Sequence, residues 1–523
     1  MNHLVYKIVK PIFYSAKNNS VGRKAIFFAF TFRKLNKKFK NTFITAKYLT
    51  QNLNKFYVSN SKKTKGVQIN DLFKKLEINI DDKGFMFSLD CFRNLDQNGR
   101  IIDNISVDYS KILYYSLNDY KNHYSNLESS DFTQNQLNLL DAIENLINRE
   151  IDCLNNSNHP NKVKFIQYLN NIKNKKTGSF EEGLQRILFF NQLLWQTGHG
   201  LNGLGRLDKV LNDLYLNDKD LTEENALNLI KEFLKTLHSE YWFKSAALMG
   251  DTGQVIILGG KEEDGTYFYN DLTSLFIKAI KELQLPDPKV LLRISSKTPR
   301  FLIEESLECI NTGVGCPLFS NDEEVISKMI DFGYDSEDAY NYVVSACWEP
   351  AAVGKGLEQN NINFISYLKP LNDLFDSMSD KKLSKIDNFD LLFDLYKNRL
   401  KKEADNLIDI LNKIKWNEDP LLSLFIDDCN EKQLDISKGG AKYNHYGITT
   451  VSLASTVNSL LNLKKFVFED KKYNLIQFNN MRKNNFKDKD SVLKEIKSNK
   501  LHFGADDEEV INLTNDIIKH LED

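Results

Sequence analysis

The chain has little of several features that mark particular classes of protein. Only 9 of its 523 residues are proline, so long proline-rich linkers are absent. It has no run of about 18 uncharged apolar residues, which leaves no candidate for a membrane-spanning helix. No GxGxxG pattern follows a predicted strand and no GxxxxGK[ST] pattern occurs, so nucleotide binding has no support. We likewise expect no nucleic-acid partner.

Cysteine is also sparse and scattered. The chain contains 6 cysteines, none of them in a CxxC pair: Cys91, Cys153, Cys309, Cys316, Cys347 and Cys429. Without a recognisable signal peptide, such cysteines are typical of reduced thiols in a cytoplasmic protein. Neither HxxxH nor HExxH occurs, so we expect no metal site.

Acidic residues are missing from the N-terminal stretch. Of the 69 lysines and arginines, 15 lie in residues 1–70, which contain no Asp or Glu, so the remainder carries 54 basic and 71 acidic residues. The apolar run Ala25–Phe32 within this stretch is too short to span a bilayer. We assign residues 1–70 to a basic arm and linker, which either docks on protein, is solvated, or makes a peripheral membrane contact. Residues 71–523 form the second predicted domain.

After the linker, short apolar runs alternate with amphipathic helical patterns. Gln254–Leu258, Val290–Ile294 and Tyr342–Ala346 are predicted buried strands. A helical stripe covers residues 134–151, and Asn270 is predicted to cap another helix. This alternation predicts an α/β protein with covered strands. A closed barrel is the economical arrangement over this length, although an open doubly wound sheet has the same periodicity.

The candidate for chemistry lies directly after the third of these strands. Cys347 and Glu349 occur two positions apart in the loop Ser345-Ala-Cys-Trp-Glu-Pro350. Loops at strand ends carry catalytic groups in α/β folds, and residues at i and i+2 can point the same way in an extended chain. A thiol can take part in hydrogen-atom or nucleophilic chemistry while a carboxylate moves protons. On spacing alone, a buried thiol beside a surface glutamate is the simpler interpretation.

The surrounding motifs change that interpretation. Cys347-Trp-Glu-Pro350, followed by Gly354-Lys355, resembles the CxEP loop of glycyl radical enzymes of the pyruvate formate-lyase-like superfamily. Further segments resemble motifs of the same family in the same order: Gly205-Arg-Leu-Asp208, Leu258-Gly-Gly260 with Asp264-Gly265 and Asn270-Asp-Leu-Thr273, Gly315-Cys-Pro317 with Asn321-Asp-Glu323, Asp338-Ala-Tyr340, Gly439-Gly-Ala-Lys-Tyr-Asn444 and Phe503-Gly-Ala-Asp-Asp507. Each motif is weak alone, but the ordered set over residues 100–523 is specific.

This resemblance implies a ten-stranded β/α barrel of two antiparallel five-stranded halves, with surrounding helices and the cysteine loop inside. In the family, a glycyl radical on a second loop converts the cysteine to a thiyl radical, which takes a hydrogen atom from the substrate. The CxEP glutamate is typical of eliminases, which dehydrate diols or cleave C–N or C–S bonds, and it also occurs in an arylacetate decarboxylase. By resemblance, Cys347 is the hydrogen-abstracting thiol and Glu349 its base. Because Ala346 stands where the formate-lyase type has a second cysteine, acyl transfer is disfavoured.

The segment expected to hold the glycyl radical is not recognisable. In the family it lies near the C-terminus, in an RVxG[FYW]-type motif well past the segment that Phe503–Asp507 resembles. After Gly440 the sequence contains only Gly447 and Gly504, and neither lies in such a motif. We therefore expect a C-terminally incomplete barrel, with the glycyl radical supplied in trans by a separate small glycyl-radical-domain subunit. A truncated fragment and a relic that no longer catalyses are the alternatives.

Three further residues are candidate substrate-binding residues by resemblance. Trp348 stands where a smaller aliphatic residue is usual, and it either narrows the cavity or packs outward. Asn104 occupies the place where many members have the histidine of GHxxxDY. An amide can hydrogen-bond but cannot titrate, which puts the usual diol-dehydratase proton route in doubt. His199 matches a family position near the GRxD segment, with a structural histidine as the alternative.

The resulting prediction is the large, thiyl-bearing subunit of a split glycyl radical enzyme, cytoplasmic and homo-oligomeric. It performs a radical elimination on a small hydroxylated substrate and needs a radical-SAM activating enzyme as a second partner. A decarboxylase that uses the same loop is a weaker form of this hypothesis. The alternative from another class is a non-catalytic scaffold of the same fold, which binds a partner or a membrane through residues 1–70.

Overall fold

The structure, a computed structural model, describes residues 104–197, 202–241 and 253–522, together with His199 and short pieces between 73 and 102. The basic arm and its boundary at residue 70 lie outside the described residues, so both remain predictions. The chain divides into two compact units. The first comprises the described residues up to Gln359 and Trp416–His445, and the second comprises Asn360–Lys415 and the described residues from Tyr446 onward.

The strands among the described residues are short. They are β1 Ile78–Asn79, β2 Ser88–Leu89, β3 Gly205–Arg206, β4 Val255–Leu258, β5 Gly260–Lys261, β6 Tyr267–Phe268, β7 Lys289–Ile294, β8 Leu318–Asn321, β9 Tyr342–Ser345, β10 Glu349–Ala352, β11 Gly356–Ser366 and β12 Tyr443–Val451.

The helices account for most of the remaining described chain. They are α1 Tyr109–Tyr114, α2 Leu117–Ser125, α3 Asp131–Asn155, α4 Lys162–Asn174, α5 Phe180–Gln196, α6 Leu207–Val210, α7 Asn212–Asn217, α8 Glu223–Tyr241, α9 Asp271–Leu283, α10 Arg300–Cys309, α11 Asp322–Asp331, α12 Ser336–Tyr340, α13 Leu368–Ser377, α14 Asp380–Leu383, α15 Phe389–Leu411, α16 Pro420–Leu424, α17 Asp427–Lys432, α18 Leu453–Leu463, α19 Leu475–Lys483, α20 Asp490–Lys497 and α21 Glu508–Glu522.

The centre of the first unit is a sheet of four parallel strands in the order β3-β4-β7-β8. Every residue of β4 is buried, as expected for a parallel strand that is covered on both faces. Just before β3, Asn202 pairs in parallel with Ile105. This bridge brings the segment around Asn104 beside the sheet.

The sequence predicted several elements in and around this sheet within one or two residues, although it did not predict β3 or β8. β4 and β7 coincide with predicted strands, and β9 ends at Ser345, one residue before the predicted end. The predicted cap is also confirmed, because the side chain of Asn270 accepts a hydrogen bond from the backbone N–H of Thr273 at 3.1 Å. Helix α3 contains the stripe predicted over residues 134–151.

The second unit has its own apolar core. Helices α13, α15, α18 and α21 contribute fully or almost fully buried side chains to it, among them Leu374, Tyr396, Leu460 and Ile517. A long amphipathic helix gains most of its stability from burying such a face rather than from its intrinsic propensity. The sequence did not distinguish this unit from the first one.

The α/β class is confirmed, but the ten-stranded barrel is not evident from the described strands alone. Besides the four-stranded sheet, they form two-stranded pairs: β1 with β2, β5 with β6, β9 with β10, and β11 with β12. Within the part of the chain that the structure describes, no helix is both long and apolar enough to cross a membrane.

Candidate active site

Cys347 lies at the tip of a tight hairpin. Strands β9 and β10 pair antiparallel with Ser345 opposite Glu349, which leaves Ala346, Cys347 and Trp348 as a three-residue turn. Ala346 has φ = 54°, a left-handed conformation that closes the turn. The hairpin therefore fixes the backbone on both sides of the thiol.

The carboxylate of Glu349 folds back onto this turn. Its Oε2 atom accepts hydrogen bonds from the backbone N–H groups of Cys347 at 2.7 Å and Trp348 at 2.9 Å. Two backbone N–H groups of the turn thus converge on one oxygen of Glu349. The Glu349 carboxylate thus lies against the backbone of Cys347, and the shared orientation of the two side chains remains a prediction.

The hairpin tip is open to solvent in this chain. Cys347 is exposed, and 40% of the surface of Trp348 remains accessible. This differs from the enclosed position that the resemblance implies for the cysteine loop. The exposure of Trp348 agrees with the outward-packing alternative, and its contact with a substrate remains a prediction.

Backbone contacts hold the hairpin beside the central sheet. The N–H of Ala346 donates to the carbonyl of Gly253 at 2.9 Å, and the N–H of Gly354, just beyond β10, donates to the carbonyl of Ser106 at 3.0 Å. A Cβ atom at Gly203 would lie only 2.6 Å from the carbonyl oxygen of Val344 in β9, so this close approach requires glycine. These contacts tie the hairpin to the segments that adjoin β3 and β4.

A buried ion pair positions β9 from its other end. Arg293 in β7 and Asp322 at the start of α11 are both fully buried and bond at two points, Nε to Oδ1 at 2.9 Å and Nη2 to Oδ2 at 3.0 Å. The phenol of Tyr342, the first residue of β9, donates to Asp322 at 2.8 Å, and its ring lies 4.0 Å from the Arg293 guanidinium carbon. Sequence reasoning missed this network, although an arginine inside the apolar strand Val290–Ile294 was a usable signal.

Asn104 is buried, in the first of the segments that hold the hairpin. It has φ = 53° and is 5% exposed. Its neighbours Ile105 and Ser106 contact Asn202 and Gly354 respectively. The structure thus brings the Asn104 segment alongside the segment that follows β10, while the substrate contact remains a prediction.

His199 is fully buried and held at both ring nitrogens. Nδ1 contacts the carbonyl oxygen of Ile102, and Nε2 lies 2.6 Å from Oδ2 of Asp419. Asp419 in turn caps α16 through the N–H of Leu422 at 2.9 Å. With both nitrogens occupied, the imidazole links two distant segments, which favours the structural alternative over the predicted substrate contact.

The Gly205–Asp208 motif is likewise engaged in structural contacts. Arg206 pairs with Glu262 at 2.7 Å. Asp208 accepts from the backbone N–H of Gly259 at 2.7 Å and from the hydroxyl of Thr273 at 2.8 Å. Burial raises the pKa of Asp208, and the charge of Arg206 opposes that shift.

No group of three or more His, Cys, Asp or Glu side chains is arranged to hold a metal ion in the part of the chain described by the structure. The hairpin instead offers one accessible thiol and one carboxylate. Such a pair supports hydrogen-atom and proton transfer to a small molecule bound against the turn.

Comparisons with known proteins identify the family of this chain. Residues 88–523 match the family described as Pyruvate formate lyase-like. The (2S)-3-sulfopropanediol dehydratase of Klebsiella oxytoca is 26% identical over 358 residues, which cover 63% of this chain and 43% of that protein. The trans-4-hydroxy-L-proline dehydratase of Clostridioides difficile is 26% identical over 329 residues, 58% of this chain and 42% of that protein.

Solved structures show the same fold. The glycerol-bound B12-independent glycerol dehydratase from Clostridium butyricum superposes with a TM-score of 0.69 at 24% identity, covering 80% of this chain and 58% of that one. The chain thus spans less than half the length of the two curated relatives and under two thirds of this structure. Since the family match extends over most of its sequence, the chain belongs to the pyruvate formate lyase-like family.

Proposed function

We propose that this chain is the thiyl-bearing part of a glycyl radical lyase or dehydratase, which performs a radical elimination on a small hydroxylated substrate. Cys347 is the hydrogen-abstracting thiol and Glu349 is the base. The observation that carries the proposal is the hairpin, in which the Glu349 carboxylate lies 2.7 Å from the backbone nitrogen of Cys347. We also propose that the chain folds as the ten-stranded barrel of two antiparallel five-stranded halves.

The relatives support this reaction class. The two dehydratases act, by their names, on a sulfopropanediol and on a hydroxyproline, both hydroxylated molecules. The 4-hydroxyphenylacetate decarboxylase glycyl radical subunit of Clostridium scatologenes is 26% identical over 373 residues, which cover 62% of this chain and 41% of that one. We propose elimination, with decarboxylation through the same loop as the weaker alternative, because two of these three relatives are named as dehydratases.

The chemistry follows from the two side chains. The Cys347 sulfur, as a thiyl radical, takes a hydrogen atom from a carbon that carries a hydroxyl group and becomes a thiol. Glu349 accepts the hydroxyl proton, and the resulting ketyl radical expels the leaving group from the neighbouring carbon. The thiol then returns its hydrogen atom to the product radical, which restores the thiyl state. Glu349 must first leave the backbone amides of the turn or share its second oxygen with the substrate.

The exposure of the thiol favours a second polypeptide at the hairpin. A carbon radical needs a site that excludes water, and Cys347 is open to solvent in this chain. We propose that a small subunit with a glycyl loop covers the turn after a radical-SAM enzyme has activated it. When bound, its glycyl radical would remove the hydrogen atom from the Cys347 thiol. The assembled enzyme is proposed to be cytoplasmic and homo-oligomeric.

Anoxic reconstitution tests the proposal. The full chain is combined with a radical-SAM activase and a polypeptide carrying an RVxG[FYW] motif, then assayed on glycerol, 1,2-propanediol and trans-4-hydroxy-L-proline. We expect turnover that Cys347→Ala abolishes and that Glu349→Gln lowers by about 100-fold or more, the usual contribution of a positioned acid–base group. Cys153→Ala, which removes a thiol from helix α3, is the matched control and should retain activity.

Two outcomes would contradict the proposal. Residual turnover in the Cys347→Ala variant would exclude the thiyl role, and a glycyl doublet in the electron paramagnetic resonance spectrum of the chain alone would exclude the separate subunit. The alternative is a non-catalytic scaffold of the same fold, which binds a partner or a membrane through residues 1–70. Stable association with the glycyl-loop polypeptide without turnover on any substrate would favour that scaffold.

A further inference from the structure

A second group of titratable side chains lies on the strand that follows the hairpin. Glu358 in β11 is 4% exposed. Its Oε1 atom accepts hydrogen bonds from the phenol of Tyr334 and, at 3.3 Å, from the backbone N–H of Ala352 at the end of β10. A Cβ atom at Gly356 would lie 2.6 Å from the Glu358 carboxyl carbon, so the carboxyl packs directly on the backbone there.

Tyr334 connects this carboxyl to a histidine. Its hydroxyl oxygen lies 3.0 Å from Nδ1 of His445, which is half-buried at the start of β12. The rings of Phe332 and Tyr443 flank the pair, with centroids 5.1 Å from His445 and 4.4 Å from Tyr334 respectively. Three side chains thus form a continuous hydrogen-bonded chain from a buried carboxyl to a partly accessible imidazole.

The charges around the chain favour proton transfer near neutral pH. Burial raises the pKa of Glu358 to about 7, against the opposing hydrogen bond from Tyr334. Burial lowers the pKa of His445, so its ring is neutral in the same range. Burial, reinforced by the Glu358 charge, raises the pKa of Tyr334, which therefore remains a phenol.

The other charged groups near this chain are already paired. Asp338, whose charge acts on Glu358, is bonded by Lys355, by Lys442 at 2.6 Å and by the phenol of Tyr443 at 2.7 Å. Lys442 also bonds Asp335. Tyr443 is thereby directed to Asp338 rather than to Glu358, which leaves Tyr334 as the donor between the buried carboxyl and His445.

We propose that Glu358, Tyr334 and His445 form a proton relay that exchanges one proton between the buried carboxyl and solvent. Tyr334 has a single hydroxyl hydrogen, so the relay has two neutral-histidine states. With Glu358 protonated, its O–H donates to Tyr334, Tyr334 donates to Nδ1 of His445, and the histidine hydrogen is on Nε2. With Glu358 ionised, Tyr334 donates to Glu358, and the histidine hydrogen is on Nδ1.

The step between the two states is balanced. The Glu358 proton moves to the Tyr334 oxygen while the Tyr334 proton moves to Nδ1, and the Nε2 proton leaves to solvent. One proton is released, Glu358 gains one negative charge, and His445 changes tautomer without a net change of charge. Because Glu358 also accepts from Ala352, the relay couples this charge to the end of the strand that begins with Glu349. The inference does not depend on the radical chemistry proposed above.

Histidine nuclear magnetic resonance on the full chain tests the relay. Nitrogen-15 labelling of the 8 histidines, with His445→Gln to assign the signal, reports the tautomer of each ring. Between pH 6 and 8.5, we expect the His445 signals to pass from the Nε2–H to the Nδ1–H pattern, with a midpoint near the Glu358 pKa of about 7. Glu358→Gln and Tyr334→Phe should each remove this transition.

The neighbouring phenol supplies the matched control. Tyr443→Phe removes a hydroxyl that bonds Asp338 instead of Glu358, so the tautomer transition should persist in that variant. A single His445 tautomer over the whole range in the unmodified chain would overturn the proposal. The same transition in Tyr334→Phe would also overturn it, because the proton would then bypass the phenol.

Discussion

Two fully buried carboxylates in the first unit have opposite surroundings. Asp322 receives Arg293 at two points, the phenol of Tyr342 at 2.8 Å and the backbone N–H of Lys261 at 2.6 Å. Glu150 in α3 has no hydrogen-bond partner for either oxygen among the described residues, and burial raises its pKa well above the ordinary value. Two equally buried carboxyl groups therefore differ widely in the number of hydrogen-bond donors that they receive.

The neighbouring cation Arg149 donates its hydrogen bonds to backbone carbonyls rather than to Glu150. Arg149 donates to the backbone carbonyls of Phe73, Lys74 and Leu76, and its charge opposes the rise in the pKa of Glu150 without a hydrogen bond to it among the described residues. A desolvated carboxyl without a partner is more stable as the neutral acid, whereas a carboxylate with several donors stays ionised. Glu358 has an intermediate number of hydrogen-bond donors, fewer than Asp322 and more than Glu150. Its donors are one phenol and one backbone N–H group.

Breaking the Asp322 network should have the largest effect. Asp322→Asn leaves the Arg293 guanidinium buried without its counter-charge, so we expect the free energy of unfolding to fall by about 3–5 kcal/mol. Denaturant unfolding measures this loss. Asp331→Asn, on the same helix but paired only with exposed Lys328, is the control and should change stability by about 0.5 kcal/mol or less. If both variants lost the same free energy of unfolding, the buried pair would contribute no more to stability than the exposed one.

The free energy of unfolding of Glu358→Gln, measured over a pH series, tests whether the buried Glu358 carboxyl is neutral. The folded-state pKa of about 7 exceeds the unfolded value of about 4.3, so the protonated group stabilises the fold at low pH. This contribution is lost as pH rises between those two values. Relative to Glu358→Gln, the unmodified chain should lose roughly 3 kcal/mol of unfolding free energy from pH 4 to pH 8. If the unfolding free energies of the two proteins changed with pH in parallel, Glu358 would not be a neutral buried acid.

Replacing the unpartnered carboxyl should have a smaller effect of opposite sign. Glu150→Met removes a desolvated group that bonds nothing among the described residues, and the apolar chain fills the same space, so we expect a gain of about 1–2 kcal/mol at pH 7. Thermal unfolding detects it. Glu144→Met, on the same helix but paired with Lys121, should give no gain. A loss in Glu150→Met would show that the carboxyl has a stabilising role.

Local sequence patterns predicted several strands and helices of the first unit. β4 and β7 followed from short apolar runs bounded by glycine or proline, and α9 followed from its asparagine cap, because these signals act within a few residues. The division into two compact units did not follow from any local pattern, since apolar stripes look alike whichever core they enter.

The candidate site was predictable only in part. The spacing placed Cys347 and Glu349 in one loop, and the hairpin brings the Glu349 carboxylate to the backbone N–H of Cys347, while the roles of both side chains remain predictions. The place of His199 near a motif predicts a substrate contact, with a structural histidine as the alternative, and its partner Asp419 lies 220 positions further along the chain. The Arg293–Asp322 pair and the Tyr334–His445 contact were missed for the same reason, because their partners come together only through folding.

The sequence by itself determined the α/β class, the family and the loop that contains Cys347 and Glu349. Each of these is recognisable from motifs or apolar runs of a few consecutive residues. The tertiary structure alone decided which buried charges have partners, that the thiol is exposed in this chain, and that a phenol joins Glu358 to a histidine. Those outcomes depend on desolvation and on contacts between remote segments, and neither is encoded at any single position.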